Sequence, residues 1–466
     1  MRTLLFFDDL RLHRRDNVAR RIGKPQLIRE SVYKDPYVNV AWGYPSVLYD
    51  RESGKWRMLY QGWNEGEPRA ALIAESDEGL SWRPLDTTKS LDIPDRLWPH
   101  QVLPTADFHG WGNCYADPHA PAEERLKGLV YYTPKKWVLE SRLWTSPDGI
   151  HWRLKKGVKW QKEPPDLGPS AFWNDVRQSY VLTTRPNNGD RRIAVFETRD
   201  WENFTKPELA LQADALDSPL AEMYGMPVIA YQGYYIGFLW LYHVAPQIKG
   251  DYHKFYDGHV DCQLAYSLNG WHFQRTLRDP FISNGEPGEP DSGCVYPTCM
   301  IQQEDGSLWI YACASTHEHG RLQPGCGSIL TYRLRRDGFV YLESCGGPGI
   351  IATRMLYWKG GELELNVQSQ NGTARVQVTD VKSVPLPGYT FAECHSFSGD
   401  DTAWRPVWQE QRTLGALTGG QALRIEVELN NARLYALRGD FVPMIGPWSV
   451  LSLEQGKVPQ EPSPGF

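Results

Sequence analysis

The chain has 466 residues, with 50 Lys and Arg against 56 Asp and Glu for a formal net charge of −6, and 41% of it is hydrophobic. That balance is globular, offers no basic footprint for nucleic acid or an anionic membrane, and leaves no biased tract long enough for disorder. No stretch approaches the roughly 18 apolar residues of a membrane span. The N-terminal run Leu4-Leu5-Phe6-Phe7 is too short for a signal-peptide core, so the chain as written is expected in the cytoplasm, or secreted or periplasmic if a leader was removed. The composition also holds 19 Trp, 24 Tyr, 42 Gly and 34 Pro, a mixture that favours strands joined by many turns over a helical bundle.

Along the chain a strand-like segment recurs: Trp56-Arg-Met-Leu-Tyr60, Leu126-Lys-Gly-Leu-Val-Tyr-Tyr132, Tyr180-Val-Leu-Thr-Thr184, Tyr234-Tyr-Ile-Gly-Phe-Leu-Trp240 and Leu308-Trp-Ile-Tyr311. Its first residues are spaced 70, 54, 54 and 74 apart, the size of a four-stranded blade with loops. A tight turn closed by an aromatic follows in each unit, at Ser76–Trp82, Ser146–Trp152, Thr198–Phe204 and Ser267–Phe273, with a degenerate copy at Arg336–Tyr341. Asp, Asn and Gly there tolerate left-handed turn geometry, and Trp82, Trp152, Phe204 and Phe273 pack back between sheets. These units predict an all-β fold, a five-bladed β-propeller over residues 1–343. Beyond Gly346-Gly-Pro-Gly349, read as a linker, the segments Leu363–Val367, Ala374–Val378, Leu423–Leu429 and Ala432–Leu437 alternate with period two. They predict a C-terminal β-sandwich over 344–466, an accessory domain without a catalytic constellation. The eight cysteines show no C-x-x-C or paired Cys/His spacing, so buried free thiols are expected.

The innermost strands of a propeller converge on an axial channel whose open end is where chemistry collects. A Pro-small-apolar pattern marks candidates at Tyr44-Pro-Ser-Val, Pro169-Ser-Ala, Met226-Pro-Val and Tyr296-Pro-Thr, and Asn113–Asp117 aligns through its Asp. Acids stand just upstream of three of them: Asp166, Glu222 and Asp291. Glu286 and Glu289 lie in a Gly/Pro-rich loop before the last strand, whereas Asp50, Asp117 and Asp175 end their strands and read as turn acids. Carboxylates around one mouth suit glycosidic cleavage, which needs one protonated acid for the leaving oxygen and one carboxylate as nucleophile or base. His317 and His319 follow the second strand of the last unit, where an imidazole can orient a carboxylate or help ligate a metal, and Arg185 can contact a sugar hydroxyl or acid group. Trp42 and Trp111, ahead of inner strands, are candidate faces for stacking on a sugar ring.

Ser146-Pro-Asp-Gly-Ile-His-Trp152, Glu222-Met-Tyr-Gly-Met-Pro227, Asp291-Ser-Gly-Cys-Val-Tyr-Pro297 and His319-Gly320 resemble the five-bladed propeller glycoside hydrolases of families 32, 43, 68, 117 and 130, especially the family 32/43-like members. Ala352-Thr-Arg354, Leu363–Asn366 and Ala432–Tyr435 look like the sandwich that accompanies them. The resemblance implies an Asp on the first inner strand as nucleophile or base, a second Asp on the next blade and a Glu as acid. Tyr44 stands at the first of these positions. The expectation is a glycoside hydrolase acting on a non-reducing-end sugar of plant or microbial polysaccharide fragments, with Glu222 as proton donor and Asp291 or Asp166 as its partner. Trp42, Tyr44, Trp111, Arg185, Glu289 and His319 are its expected binding residues. Because Tyr44 replaces the Asp, a polysaccharide lyase, a phosphorylase and a non-catalytic carbohydrate-binding propeller stand as alternatives. No cofactor is required; a structural calcium ion in the channel and an oligosaccharide or polysaccharide partner fit the same resemblance.

Overall fold

The computed structural model describes residues 1–135, 138–162, 167–186, 190–245, 257–321 and 323–460, and its chain divides into two compact units, Pro25–Arg333 and Met1–Lys24 with Leu334–Gly465. No described helix is long and apolar enough to cross a membrane.

The first unit is a propeller built of antiparallel meanders. One runs Val40–Asp50, Lys55–Trp63, Ala70–Ser76 and Arg83–Pro84; the next runs Phe108–Ala116, Leu126–Lys135, Val138–Ser146 and Arg153–Leu154. The third is built on Leu167–Asn174, Ser179–Thr184, Ile193–Thr198 and Asn203–Phe204. A nine-stranded sheet follows, in which Ala221–Gly225, Val228–Tyr231, Tyr234–Val244, Gly258–Ser267 and Gln274–Arg275 meet Cys294–Gln302, Leu308–Ser315, Gly327–Leu334 and Gln26–Leu27. One parallel pairing, Val260 with Cys294, joins its halves, and the five-blade reading counts them as separate meanders. Because Gln26–Leu27 comes from before the first meander yet pairs with Tyr332 and Arg333 of the last, the ring is closed by its own N-terminal end.

The Pro-small pattern has a physical purpose here. The Ser46 hydroxyl accepts the Cys114 N–H at 3.0 Å, the Ser170 hydroxyl accepts the Val228 N–H at 2.8 Å, and the Thr298 hydroxyl donates to the Pro45 carbonyl at 2.5 Å. Proline leaves the strand short of a ladder donor, and the following hydroxyl bonds sideways to the neighbouring meander. The repeated turns are equally regular. Ser76, Ser146, Thr198 and Ser267 each accept backbone N–H bonds from the residues two and three further on. The third residue of each is left-handed: Gly79 (φ 85°), Gly149 (φ 82°), Trp201 (φ 58°) and Gly270 (φ 65°). Phe204 and Phe273 are buried behind these turns.

The second unit recruits the N-terminus, so its limits differ from a single cut at residue 343. Arg2–Leu5 pairs with Arg433–Pro443, Leu12–Asp16 with Gly349–Thr353, and Val18–Ile22 with Val340–Ser344. The run Leu4-Leu5-Phe6-Phe7 is buried core of this unit. Leu423, Ile425, Val427 and Leu429 alternate inward as their period predicts. The degenerate turn copy belongs here as well: Asp337, left-handed at φ 56°, forms a buried ion pair with Arg438. Gly349, assigned to a linker from the sequence, starts a strand. No disulfide forms; Cys262, Cys294, Cys313, Cys326 and Cys394 are buried and Cys345 is exposed.

Candidate active site

In each meander the start of the first strand, the end of the second and the start of the third lie at one end of the sheet, and most of the polar residues singled out above gather there. Tyr44 comes from a bulge: the pairing of Val40–Asp50 with Lys55–Trp63 jumps from Trp42 opposite Gln61 to Ser46 opposite Leu59. The intervening residues are extruded from the ladder, with Gly43 at φ 104° and Tyr44 itself left-handed at φ 46°. A Cβ on Gly43 would fall 2.2 Å from the Gln61 side chain, so only glycine fits. The Tyr44 ring stacks on Trp240 at 5.0 Å, and Trp240 in turn meets the edge of Tyr296 at 5.3 Å.

Tyr224, on the strand Ala221–Gly225, is the hub. His319 stands edge-on to it at 4.8 Å, Tyr242 at 5.7 Å, and the Arg185 guanidinium lies 4.3 Å over its ring while donating a 2.9 Å hydrogen bond to its carbonyl. Arg191 lies 5.5 Å over Tyr224 and 5.6 Å over Tyr242 and ion-pairs with Glu222. Glu222 sits opposite Tyr242 in the ladder and keeps about a fifth of its side chain exposed (20%). It is the carboxylate bonded into this cluster among the described residues, and there it accepts from a guanidinium.

Three arginines shape the electrostatics. Burial, followed by the charges of Arg191, Arg185 and Arg69, pushes His319 down to about 4, so its imidazole is neutral at neutral pH. Burial likewise holds Tyr44 well above the ordinary phenol range, and it raises Tyr131 to about 12. The cluster therefore combines a neutral imidazole, protonated phenols, one carboxylate and the guanidinium groups of Arg185 and Arg191, with the Arg69 charge also acting on the imidazole, a balance that attracts an anion.

The other expected residues fall elsewhere. Asp291 is buried at 6% exposure and accepts a 2.5 Å hydrogen bond from the Tyr332 hydroxyl. Glu289 forms a two-pronged pair with Arg29 at 2.8 and 3.2 Å. Neither bonds to Glu222: the loop carrying Asp291 turns its carboxylate onto Tyr332 of the last meander's third strand. Trp111, expected to stack on a sugar, is fully buried with its ring edge-on to Trp152 at 5.4 Å, because Gly128 leaves room for both indoles. Asp166 and the Trp42 side chain lie outside the described residues. Asp50 and Asp117, read as turn acids, also hold the structure together: Asp50 pairs with Arg57 and Arg125, and Asp117 accepts from Tyr180 and the Trp201 indole. Arg69 and Arg191 were not singled out in the sequence, because each lies in a loop with no periodic signal around it. Arg69 donates to the His109 carbonyl at 3.1 Å and lies 4.7 Å over Trp63, and its charge and that of Arg191 both act on His319.

No protein-family model matches the sequence, and no curated protein matches it. Among solved structures the chain is similar to an N-acetylgalactosamine deacetylase from F. plautii in complex with blood group B trisaccharide, at 13% identity over 69% of this chain and 97% of that one, with a TM-score of 0.48. It is also similar to a glycosyl hydrolase from Bacteroides ovatus (12% identity, 68% and 94% covered, TM-score 0.45) and to a thermostable family-43 glycoside hydrolase (15% identity, 66% and 95% covered, TM-score 0.43).

Proposed function

We propose that the propeller unit cleaves glycosidic bonds in oligosaccharides that carry an acidic sugar, with Arg185 and Arg69 receiving the acid group. The observation that carries this reading is the pair Arg185 and Arg191 packed over the Tyr224 ring, which His319 meets edge-on, with the Arg69 charge also acting on that imidazole. A uronate supplies a planar anion that matches the fork of a guanidinium such as that of Arg185, a match a neutral oligosaccharide does not offer.

The same groups favour elimination as the route. Arginine neutralises the uronate and acidifies the hydrogen on the adjacent carbon. A neutral imidazole takes that proton, the bond to the glycosidic oxygen breaks as a carbon–carbon double bond forms, and a phenol protonates the departing oxygen. His319 is held neutral and Tyr44 is held protonated, the states this sequence of steps requires. Hydrolysis with Glu222 as proton donor is the second reading, supported by the position of Glu222 on a first strand of the ring. Its weakness is that Glu222 is already engaged by Arg191.

The test is a product analysis on uronate-containing and neutral oligosaccharides of defined linkage. Elimination gives a product with new ultraviolet absorbance from its double bond; hydrolysis gives new reducing ends without it. Turnover of neutral oligosaccharides in preference to acidic ones, or binding with no product after long incubation, would sink the proposal.

A further inference from the structure

A second group of side chains lies one step along the ladder from Glu222 and plays no part in the chemistry above. His243 is the penultimate residue of Tyr234–Val244 and stands directly opposite His259 on Gly258–Ser267. Side chains two residues apart on a strand share a face, and so do directly opposed cross-strand partners, so His259, Asp261 and His243 all project from the same side of the sheet. The imidazoles of His243 and His259 stack at 4.4 Å with an interplanar angle of 14°. The Asp261 Oδ2 lies 3.0 Å from His243 Nε2, and one ligand atom from each of the three residues falls within 4.8 Å of the other two.

Asp261 supplies an independent observation. Its side chain is only 8% exposed, yet its Oδ1 is buried without any hydrogen-bond partner. A simple His243–Asp261 ion pair uses one carboxylate oxygen and leaves the other desolvated and unmatched. It also leaves the parallel stacking of His259 on His243 unaccounted for. A cation held between the imidazole nitrogens and the carboxylate answers both features.

We infer that His243, His259 and Asp261 form a binding site for one divalent transition-metal ion of the zinc class. Two imidazole nitrogens and one carboxylate oxygen are the donors preferred by zinc, cobalt, nickel and ferrous iron, and three protein ligands leave a coordination position for solvent. Calcium, which the family resemblance allows in the channel, takes oxygen donors almost throughout and does not fit this set. The site would pin the end of Tyr234–Val244, which carries Tyr242 opposite Glu222, to its neighbouring strand.

The experiment uses untagged full-length protein stripped with a chelator and titrated with cobalt(II). Expected are one cobalt per chain, visible absorption of the intensity given by four- or five-coordinate nitrogen and oxygen ligation, and displacement by one equivalent of zinc. His259→Ala removes an exposed ligand without disturbing the core, and Asp261→Asn keeps the shape of the carboxylate. Each is expected to weaken cobalt binding at least about tenfold and to abolish the metal-dependent rise in melting temperature seen for the wild type. Wild-type protein that binds no cobalt, or His259→Ala that binds it as tightly and with the same spectrum, overturns the assignment. None of these readouts depends on the glycosidic chemistry.

Discussion

Glu222 and Asp291 stand at matching places in the sequence, four residues before Met226 and five before Tyr296, and yet the fold uses them differently. Glu222 lies inside a strand, in register opposite Tyr242, so the pleat directs its side chain to Arg191 at the arginine-rich centre. Asp291 lies in a loop held by the Asn284 amide, which donates to its carbonyl, and its carboxylate goes to Tyr332 under the cover of the last meander. The lesson is that an acid's distance from a strand does not give its direction. Register inside a ladder does, because alternation fixes which side a residue faces.

Two tyrosines break this comparison most sharply if it is wrong. Tyr44→Phe keeps the stack on Trp240 and removes only the hydroxyl, so kcat is expected to fall by roughly 10²- to 10⁴-fold with little change in melting temperature. Tyr332→Phe leaves the buried Asp291 carboxylate without its donor and is expected to cost about 1–3 kcal/mol of stability while kcat stays near the wild-type value. Activity assays beside thermal melts read both. Inactive Tyr332→Phe of normal stability would move the chemistry to Asp291. Glu222→Gln adds the decision between routes, since hydrolysis demands a loss as large as that of Tyr44→Phe, whereas elimination predicts a smaller one through misplaced Arg191.

The arginines come next. Arg185→Gln is expected to lower kcat/KM for an acidic oligosaccharide by roughly ten- to hundredfold and to leave a neutral one unchanged. Equal losses on both would show Arg185 supporting Tyr224 and not reading the substrate. The same variant bears on pH. In the wild type a base role for His319 predicts an acid limb near about 4, well below the ordinary imidazole value, because burial and the arginine charges disfavour the cation. Between that value and 6.5 the unfolded chain binds the extra proton, so this group's share of stability is whole above 6.5 and is lost as the pH falls towards 4. Removing one arginine charge moves the limb upwards. A limb that stays in place in Arg185→Gln would take His319 out of the base role.

Much of this architecture was readable in the residues because it is local. Ser-x-x-Gly followed by an aromatic specifies a turn through one hydroxyl and one left-handed residue, and both appear where the repeat places them. Pro-Ser marked inner strands correctly for a reason that emerges only in three dimensions, the sideways hydroxyl bond. The centre was half legible. Tyr44, Arg185, Glu222 and His319 come from the same ends of the meanders, but Arg69 and Arg191 come from loops on different meanders, and no spacing along one chain encodes which loops the fold brings within electrostatic reach of one imidazole. Trp111 shows the opposite failure: an indole ahead of an inner strand looks available until the glycine at position 128 on the neighbouring strand lets it sink.

The smallest effect tests whether the hydroxyl bonds around the axis and the arginine centre are separate devices. Ser46 is two residues from Tyr44, on the same bulged strand, and its hydroxyl accepts the Cys114 N–H. Ser46→Ala leaves that N–H without its partner and is expected to cost about 1 kcal/mol, read as a lower midpoint in denaturant with an unchanged slope. Ser170→Ala removes the corresponding bond to Val228 on the other side of the ring, and for separated sites the two losses should sum. Neither is expected to change KM or kcat, because the bulge at Gly43 and Tyr44 is set by its own backbone and by Gln61. A rise in KM with Ser46→Ala alone would mean that the bond also sets the aim of Tyr44, and the ring's closure would then be part of the site rather than its support.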